Sequence, residues 1–341
     1  MTAVIIWTNH HEASAAAERT ADQLFQEVSA KIDERLNRLL GAVKATVDTA
    51  SAVPSLADEP DFDGLAYPAL KAMIRFLEAR PHVYTVAAGF SSGAFIQVLL
   101  ARGNAAKAAF DAPEAAHFVV RTISLDRDGN RIQYVRFLDR DRRVVAARTE
   151  KDPAYDPRER IWYRNALVAE ETVFSDPFIF AALKKPGFTA SRRLIGGGGV
   201  ISVALTLSDM GELLAAQPAS PNAVAFVFNA EQEILVRSSN LIDRTADPDA
   251  PGDGSGLPGI GQSGNAIVQA VGRVGMPSDS AASGALRFDV EGQPFLARVE
   301  PVGAQFGFRQ FVAVAAPLTD FTEHIARMQQ RNVATSLIAL A

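Results

Sequence analysis

Cysteine is absent from the 341 residues, which excludes disulfides and thiolate-held metals and is compatible with an oxidising compartment. A surplus of basic charge is absent as well. Against 34 Lys and Arg stand 39 Asp and Glu, a formal net charge of −5, and nucleic acid as a partner would need a basic face. The five histidines, His10, His11, His82, His117 and His324, are scattered, and no HExxH, GxSxG or paired His/carboxylate spacing accompanies them. No catalytic residue, metal or cofactor is therefore expected. Asp126 to Asn130 begins like a calcium loop but lacks the remaining ligands and the closing Glu, so a hairpin turn is the expectation. No apolar run reaches the roughly 20 residues that span a bilayer. The short apolar ends, Ala3 to Trp7 and Val333 to Ala341, read as the edges of two membrane helices, and the first lacks the basic flank of a signal peptide.

What is present suffices for two modest cores, since 48% of the residues are hydrophobic. From Glu12 to Ser51 there is no Pro, and Leu24, Val28, Ile32, Leu36, Leu39, Leu40, Val43 and Val47 recur in steps of three and four. That spacing predicts one long amphipathic helix, with a stripe long enough to serve a domain core and a twin helix in a homodimer. Pro54 and Pro60 end it. A second helix fits Ala66 to Arg80, and strands fit Val83 to Phe90, Phe95 to Leu100, His117 to Leu125, Ile132 to Leu138 and Val144 to Arg148, then Phe178 to Ala182, Phe188 to Leu194 and Val200 to Thr206. The four glycines Gly196 to Gly199 read as a hairpin turn, because no Gly-Lys-Ser/Thr and no helix follows them. A short helix over Ser208 to Ala216 leads to the boundary Gln217 to Asn222. Beyond it lie strands at Ala223 to Phe228, Glu233 to Arg237, Ala285 to Val290, Phe295 to Val299 and Phe308 to Ala315, and a helix near Asn265 to Val271. Asp243 to Gly264 and Gly275 to Gly284 read as mobile loops, and a last amphipathic helix follows Pro317 with Phe321, Ile325 and Met328 on one face. The class is α+β, helices beside antiparallel sheets.

The stretch Asp152 to Phe180, DPAYDPRERIWYRNALVAEETVFSDPFIF, concentrates binding chemistry. Arg160 offers a rigid fork of donors for a carboxylate or phosphate, and Tyr155, Trp162 and Tyr163 add apolar walls with polar tips. A structural alternative stays open: the aromatics fill core while Arg160 pairs with Asp156 or Glu159.

Tyr155-Asp-Pro-Arg158, then Arg160-Ile-Trp162-Tyr163 and Ser175-Asp-Pro-Phe178, resembles the signature of the double Cache domains, extracytoplasmic sensor modules of bacterial transmembrane receptors. The likeness continues through Gly199 to Leu205, Thr206 to Met210, Ala223 to Phe228 and Val312 to Leu318, about residues 20 to 325. The wording of Leu205 to Gln217 and Ser220 to Phe228 is most similar to sensors of membrane-bound nucleotide cyclases. The resemblance implies a long N-terminal helix and two PAS-like modules in tandem. Residues 1–51 would carry the end of a transmembrane segment and the helix, 52–217 a membrane-distal ligand-binding module, 218–318 a proximal module, and 319–341 a helix back to the membrane. It implies a sensor rather than an enzyme, in the inner membrane with this region periplasmic, that binds a small molecule and signals to a cytoplasmic output domain. A ligand-free dimerisation spacer, or a hydrolase using Tyr163 or Asp176, are the alternatives. In the amino-acid-binding members, positions matching Tyr155, Arg160 and Trp162 hold the ligand carboxylate. Those matching Tyr163, a Tyr after the Asp176-Pro pair and a strand Asp hold its ammonium. Here the latter two are Phe178 and Ala204, so the resemblance implies a carboxylate lacking an α-amine. Asp209 is the alternative if the alignment slips across the glycines.

Overall fold

The computed structural model describes residues 2–60, 65–80, 83–101, 107–126, 128–151, 153–180, 185–207, 211, 214, 218–238, 257–274 and 285–322, with side chains from residue 15 onward. Helix α1 runs from Thr2 to Ser51. Ala17, Ala21, Phe25, Val28, Ile32, Leu36, Leu40, Val43 and Val47 are all buried along it, the three- and four-residue spacing of a single core-facing stripe. The chain itself covers most of the expected stripe, with Leu24 and Leu39 half-buried. The helix stops where Ser51 Oγ donates back to the Asp48 carbonyl at 2.7 Å, and Pro54 then opens the one-turn helix α2 (Pro54–Ala57).

The chain forms two compact units, residues 38–207 and residues 1–37 with 208–341. The first holds an antiparallel sheet of β1 (Val83–Phe90), β2 (Phe95–Leu100), β3 (Phe118–Leu125), β4 (Arg131–Leu138), β5 (Val144–Lys151), β6 (Val173–Phe174), β7 (Phe178–Phe180), β8 (Lys185–Arg193) and β9 (Gly199–Thr206). The order is β5-β4-β3-β2-β1-β9-β8-β6, with β7 also on β8. Helix α3 (Leu70–Ala79), shorter at its start than the sequence suggests, packs on β1 and β2 through Met73, Ile74 and Leu77. Helix α4 (Ile161–Val168), which sequence periodicity did not indicate, packs on β8 and β9. β1 and β9 are buried nearly throughout because both faces of the sheet are covered. Arg192 points to the α1 face, where its guanidinium meets Asp48, whereas its neighbour Ser191 points to the opposite one.

Both expected turns are hairpins. Asp126 accepts from the backbone N–H groups of Asp128 and Asn130 at 2.9 and 2.8 Å, which closes β3 onto β4. Gly196, at φ +77°, turns β8 into β9.

The second unit carries a five-stranded antiparallel sheet of β10 (Val224–Asn229), β11 (Ile234–Arg237), β12 (Leu286–Val290), β13 (Gln293–Val302) and β14 (Gln310–Pro317), ordered β11-β10-β14-β13-β12. Helix α5 (Ala266–Val274) lays Val268 and Val271 against Phe226, Phe228 and Ala313. Residues 257–264 are not a mobile loop. Leu257 and Ile260 are buried, Glu233 bridges Gly259, and Ile260 fits against Gly272, so the two apolar side chains anchor the segment to the core. Residues 239–256 and 275–284 lie outside the described residues, as do most of the expected helix 208–216, Ile325, Met328 and Val333 to Ala341. The chain is helical at 318–322, and Phe321 meets Phe25 of α1 edge-on, ring centroids 5.8 Å apart. Arg298 on β13, itself buried, bonds Asp22 of α1 at 2.6 Å and also Glu300. Among the described residues no helix is long and apolar enough to cross a membrane.

Burial opposes the charge on Asp48, but hydrogen bonds from Thr172, Lys44 and Arg192 outweigh it and hold the carboxyl below its usual range. A depressed carboxyl pKa adds stability that is complete above the unfolded value and lost as pH falls through the folded one. Asp48→Asn should therefore cost about 1–3 kcal/mol at neutral pH, and should lose part of the wild-type decline toward acid. Thermal unfolding between neutral pH and about pH 3 checks both; equal midpoints and an unchanged acid slope would overturn the assignment.

Candidate functional site

The register of the nine-stranded sheet sets side chains in rows across one face. One row reads Gln133, Ile123, Phe95, Gly89, Val200. The next reads Val135, Arg121, Gln97, Ala87, Ser202, Ser191, and the third Phe137, Val119, Leu99, Thr85, Ala204, Thr189. Ala87, Phe95, Ile123 and Val200 pack under Trp162, Tyr163 and Ala166 of α4, so this is the face that α4 covers. Phe137, Val119 and Leu99 of the third row join a separate cluster with Val135, Phe110, Ala112 and Ala116. Arg121 and Gln97 occupy the row between the two apolar clusters.

The 153–160 segment is fastened above this floor by charge. Arg131, at the start of β4, donates to the Tyr155 carbonyl at 2.6 Å and to the Pro153 carbonyl at 3.3 Å. Asp156 accepts from the Arg158 backbone N–H at 2.9 Å, capping a 3-10 turn over Pro157–Glu159, and binds the Arg158 guanidinium at 2.7 Å. That guanidinium lies against Gly93 and donates to the Ser91 carbonyl at 3.3 Å. Pro157 and Trp162 press onto Gly89 so closely that a Cβ there would sit 2.7 Å from Pro157 Cβ and 2.9 Å from the indole. Asp156 and Arg158 are thus spent on shaping the segment. Arg160 is the N-cap residue of α4, its carbonyl accepting from Tyr163 and Arg164 N–H.

The structural alternative holds for the aromatics and fails for the arginine. Trp162 and Tyr163 are buried in the cluster under α4, but Asp156 is taken by Arg158 and by Arg131 at 3.9 Å, and among the described residues Arg160 has no ion pair. Its guanidinium carbon lies 5.4 Å from the centre of the Tyr155 ring. Arg121, which sequence reasoning missed, approaches the same ring at 4.5 Å. Burial lowers the Arg121 pKa, with Tyr155 and Glu150 acting against that and Arg148 and Arg160 adding to it. Burial raises the Tyr155 hydroxyl, opposed by the Trp162 side chain and by both guanidinium groups. Phe95 completes the group, its ring 4.8 Å from Tyr155 and 6.5 Å from Trp162.

The structure brings Tyr155, Arg160, Trp162 and Tyr163 together. Of the remaining candidates, Ala204 lies two rows from Gly89 on the same face, buried between Thr85 and Thr189. Thr189 Oγ1 is buried with no hydrogen-bond partner among the described residues. Phe178 pairs with Gly187 in the sheet and stacks edge-on against Phe180 at 5.0 Å. Asp176 is exposed, and Asp209 lies outside the described residues. Among the described residues no group of three or more His, Asp and Glu could hold a metal. A separate open cleft of about 470 Å³ in the other unit is lined by Thr20, Glu27, Ser220 and Asp320 among others. Its charge is negative, and Asp320 is already satisfied by Ser220 and Asn222.

No family model matches the chain. Adenylate cyclase 1 of Rhizobium meliloti is 26% identical over 246 residues, 72% of this chain and 37% of that protein. The Bacillus subtilis methyl-accepting chemotaxis protein McpB is 33% identical over 85 residues, 24% of this chain and 13% of that one. The chain thus spans well under half the length of these curated relatives. Among solved structures, the ligand-binding domain of the Campylobacter jejuni chemoreceptor Tlp3 in complex with 4-methylisoleucine superposes with a TM-score of 0.55 at 12% identity, over 91% of this chain and 94% of that one. The ligand-binding domain of Pseudomonas fluorescens chemoreceptor CtaA in complex with L-leucine gives 0.51 at 16%, over 89% and 97%. The fold is that of the double Cache sensory domains: a long N-terminal helix and two antiparallel, PAS-like modules.

Seating of α4 depends on the missing side chain at Gly89. Gly89→Ala should destabilise the protein by about 1–3 kcal/mol, as overpacking does, and should shift the emission of Trp162 to the red as the indole leaves its slot. A variant with wild-type midpoint and emission would show that the contact is soft.

Proposed function

We propose that this chain is the sensing region of a membrane receptor, and that the Tyr155 and Arg160 edge of the face covered by α4 binds a small organic anion. The observation that carries this reading is Arg160: a guanidinium with no ion pair among the described residues, set beside Tyr155 at the edge of an apolar floor. A carboxylate there would gain a charged hydrogen bond without displacing an existing partner. Residues 52–217 would be the membrane-distal, ligand-binding module and 218–318 the proximal one. The region would be extracytoplasmic, held at the inner membrane by flanking segments, and would act as a homodimer. The likeness to an adenylate cyclase favours a cytoplasmic nucleotide cyclase as the output.

The ligand class rests on the positions that the family resemblance assigns to an ammonium. Phe178 and Ala204 are apolar and Asp176 is exposed, so none of them supplies a buried counter-charge for an ammonium. Burying an ammonium unpaired costs several kcal/mol. A carboxylate without an α-amine is therefore favoured, even though the Tlp3 and CtaA domains were solved with amino acids or their analogues.

A thermal-shift screen of α-amino acids against their deaminated acids tests the class, because a ligand at a hundred times its Kd adds about 2.7 kcal/mol. Deaminated acids should shift the midpoint and α-amino acids should not. Arg160→Ala should then weaken the acid by about 2–5 kcal/mol in calorimetric titration without loss of fold. Micromolar binding of an ordinary α-amino acid, lost on Arg160→Ala, would overturn the ligand class, and unchanged acid affinity in the folded variant would overturn the site.

A further inference from the structure

Arg121 changes what that anion must be. It stands in the middle of β3 at the centre of the floor, in line with Gln97 and Ala87, and its guanidinium carbon lies 4.5 Å from the Tyr155 ring and 5.7 Å from the Phe95 ring. Its Nε donates to Gln133 Oε1, while Gln133 Nε2 donates to Glu150 at 2.7 Å, so the nearest acid reaches Arg121 only through an amide. Other acids nearby are occupied. Asp156 holds Arg158, and Asp111 lies 3.6 Å from Arg148. Among the described residues, neither Arg121 nor Arg160 has a carboxylate within 4 Å. Both approach one tyrosine ring, which places the two guanidinium carbons within the sum of their distances to it, about 10 Å, of each other.

Arg121 is half-buried and Arg160 exposed, so the cost of the like charges falls on Arg121, which is both withdrawn from water and faced by the Arg160 charge. A monocarboxylate neutralises one of them and leaves the other. Resting on the anion-binding reading above, we propose that Arg121 is a second ligand-binding residue and that the ligand is a short dicarboxylate, one carboxylate on Arg160 and the other on Arg121. Ala87, Phe95 and Ile123 are packed against Trp162, so the linker would run along the edge of this cluster at the half-buried Tyr155 ring, an apolar surface that suits an unbranched hydrocarbon chain. Gln97, beside Arg121 in the same row, adds an amide that can donate to the inner carboxylate.

The test is calorimetric titration of the purified chain with unbranched diacids of three to six carbons and with the monocarboxylic acid of equal length for each. At least one diacid should bind about 100-fold tighter than its monoacid, the scale of a desolvated charge pair. Arg121→Gln should weaken that diacid by about 30-fold or more and leave the monoacid within about threefold, so that the preference disappears. Arg121→Lys, which keeps the charge and loses the fork, should fall between. If Arg121→Gln does not fold, the diacid preference of the wild type and the loss in Arg121→Lys still decide the matter. Monoacid and diacid of equal affinity, both lost in Arg160→Ala but not in Arg121→Gln, would overturn the second site and leave the first. Binding of neither, or binding indifferent to Arg160→Ala, would overturn the anion-binding reading itself.

Discussion

Everything proposed for the binding face depends on how closely α4 can approach the sheet, and one missing side chain sets that distance. Pro157 and Trp162 occupy the volume that any Cβ at residue 89 would need. With Trp162 seated there, Tyr163 and Ala166 follow along the same helix into the cluster with Phe95, Ile123 and Val200. The helix start then fixes Arg160, since its carbonyl begins the helical hydrogen bonds while its side chain is left free of capping duty. A close contact between two apolar groups thus positions a charged one.

The charge distribution around Tyr155 is uneven in an informative way. Arg131 and Arg158 are consumed by backbone carbonyls and Asp156, and they hold the 153–158 segment in place. Arg160 is exposed and Arg121 is half-buried with one hydrogen bond to Gln133, and neither has a carboxylate partner among the described residues. Folding ordinarily removes a cation that is withdrawn from water without a counter-charge, because it costs stability. That Arg121 persists in this state beside an aromatic ring is the pattern of stability surrendered at a functional site.

Much of this was legible in the chain. The strands Val83–Phe90 and Phe95–Leu100 follow from continuous apolar runs bounded by turn residues, and α1 follows from its uninterrupted stripe. The aromatic and Arg160 part of the binding face was legible from residue types. Helix α4 was not, because IWYRNALV lacks a clean helical period: its buried residues are Trp162, Tyr163 and Ala166, and its polar ones are interleaved. A signal existed in Asp156-Pro157, a capping residue followed by proline at the first helical position, which announces the turn that leads into it. Arg121 escaped notice inside the run FVVRTISL. Its strand phase matches Val119 and Ile123, both fully buried, and an arginine in phase with core residues is the kind of break in pattern that marks a site. The Asp156 and Arg158 of the recognised motif are scaffolding, a division of labour that only three-dimensional pairing reveals.

The apolar stripe of α1 comes closest to repeating every eleven residues, since Ala17, Ala21, Phe25, Ile32 and Leu36 recur at Val28, Ile32, Leu36, Val43 and Val47, so hydrophobic burial alone would tolerate the helix sliding by that amount. Three aspartates remove the ambiguity. Asp22 meets Arg298, Asp33 accepts the Gly303 N–H at 2.9 Å, and Asp48 meets Arg192. Asp22 and Asp33 are themselves eleven apart, so such a slide could bring one onto the other's partner, but it would put Lys44 or His11 in the vacated place. No slide that restores the stripe therefore restores both contacts. The helix is therefore indexed by polar contacts and merely lubricated by apolar ones, which lets one long rod keep a unique setting in each of the two units it serves.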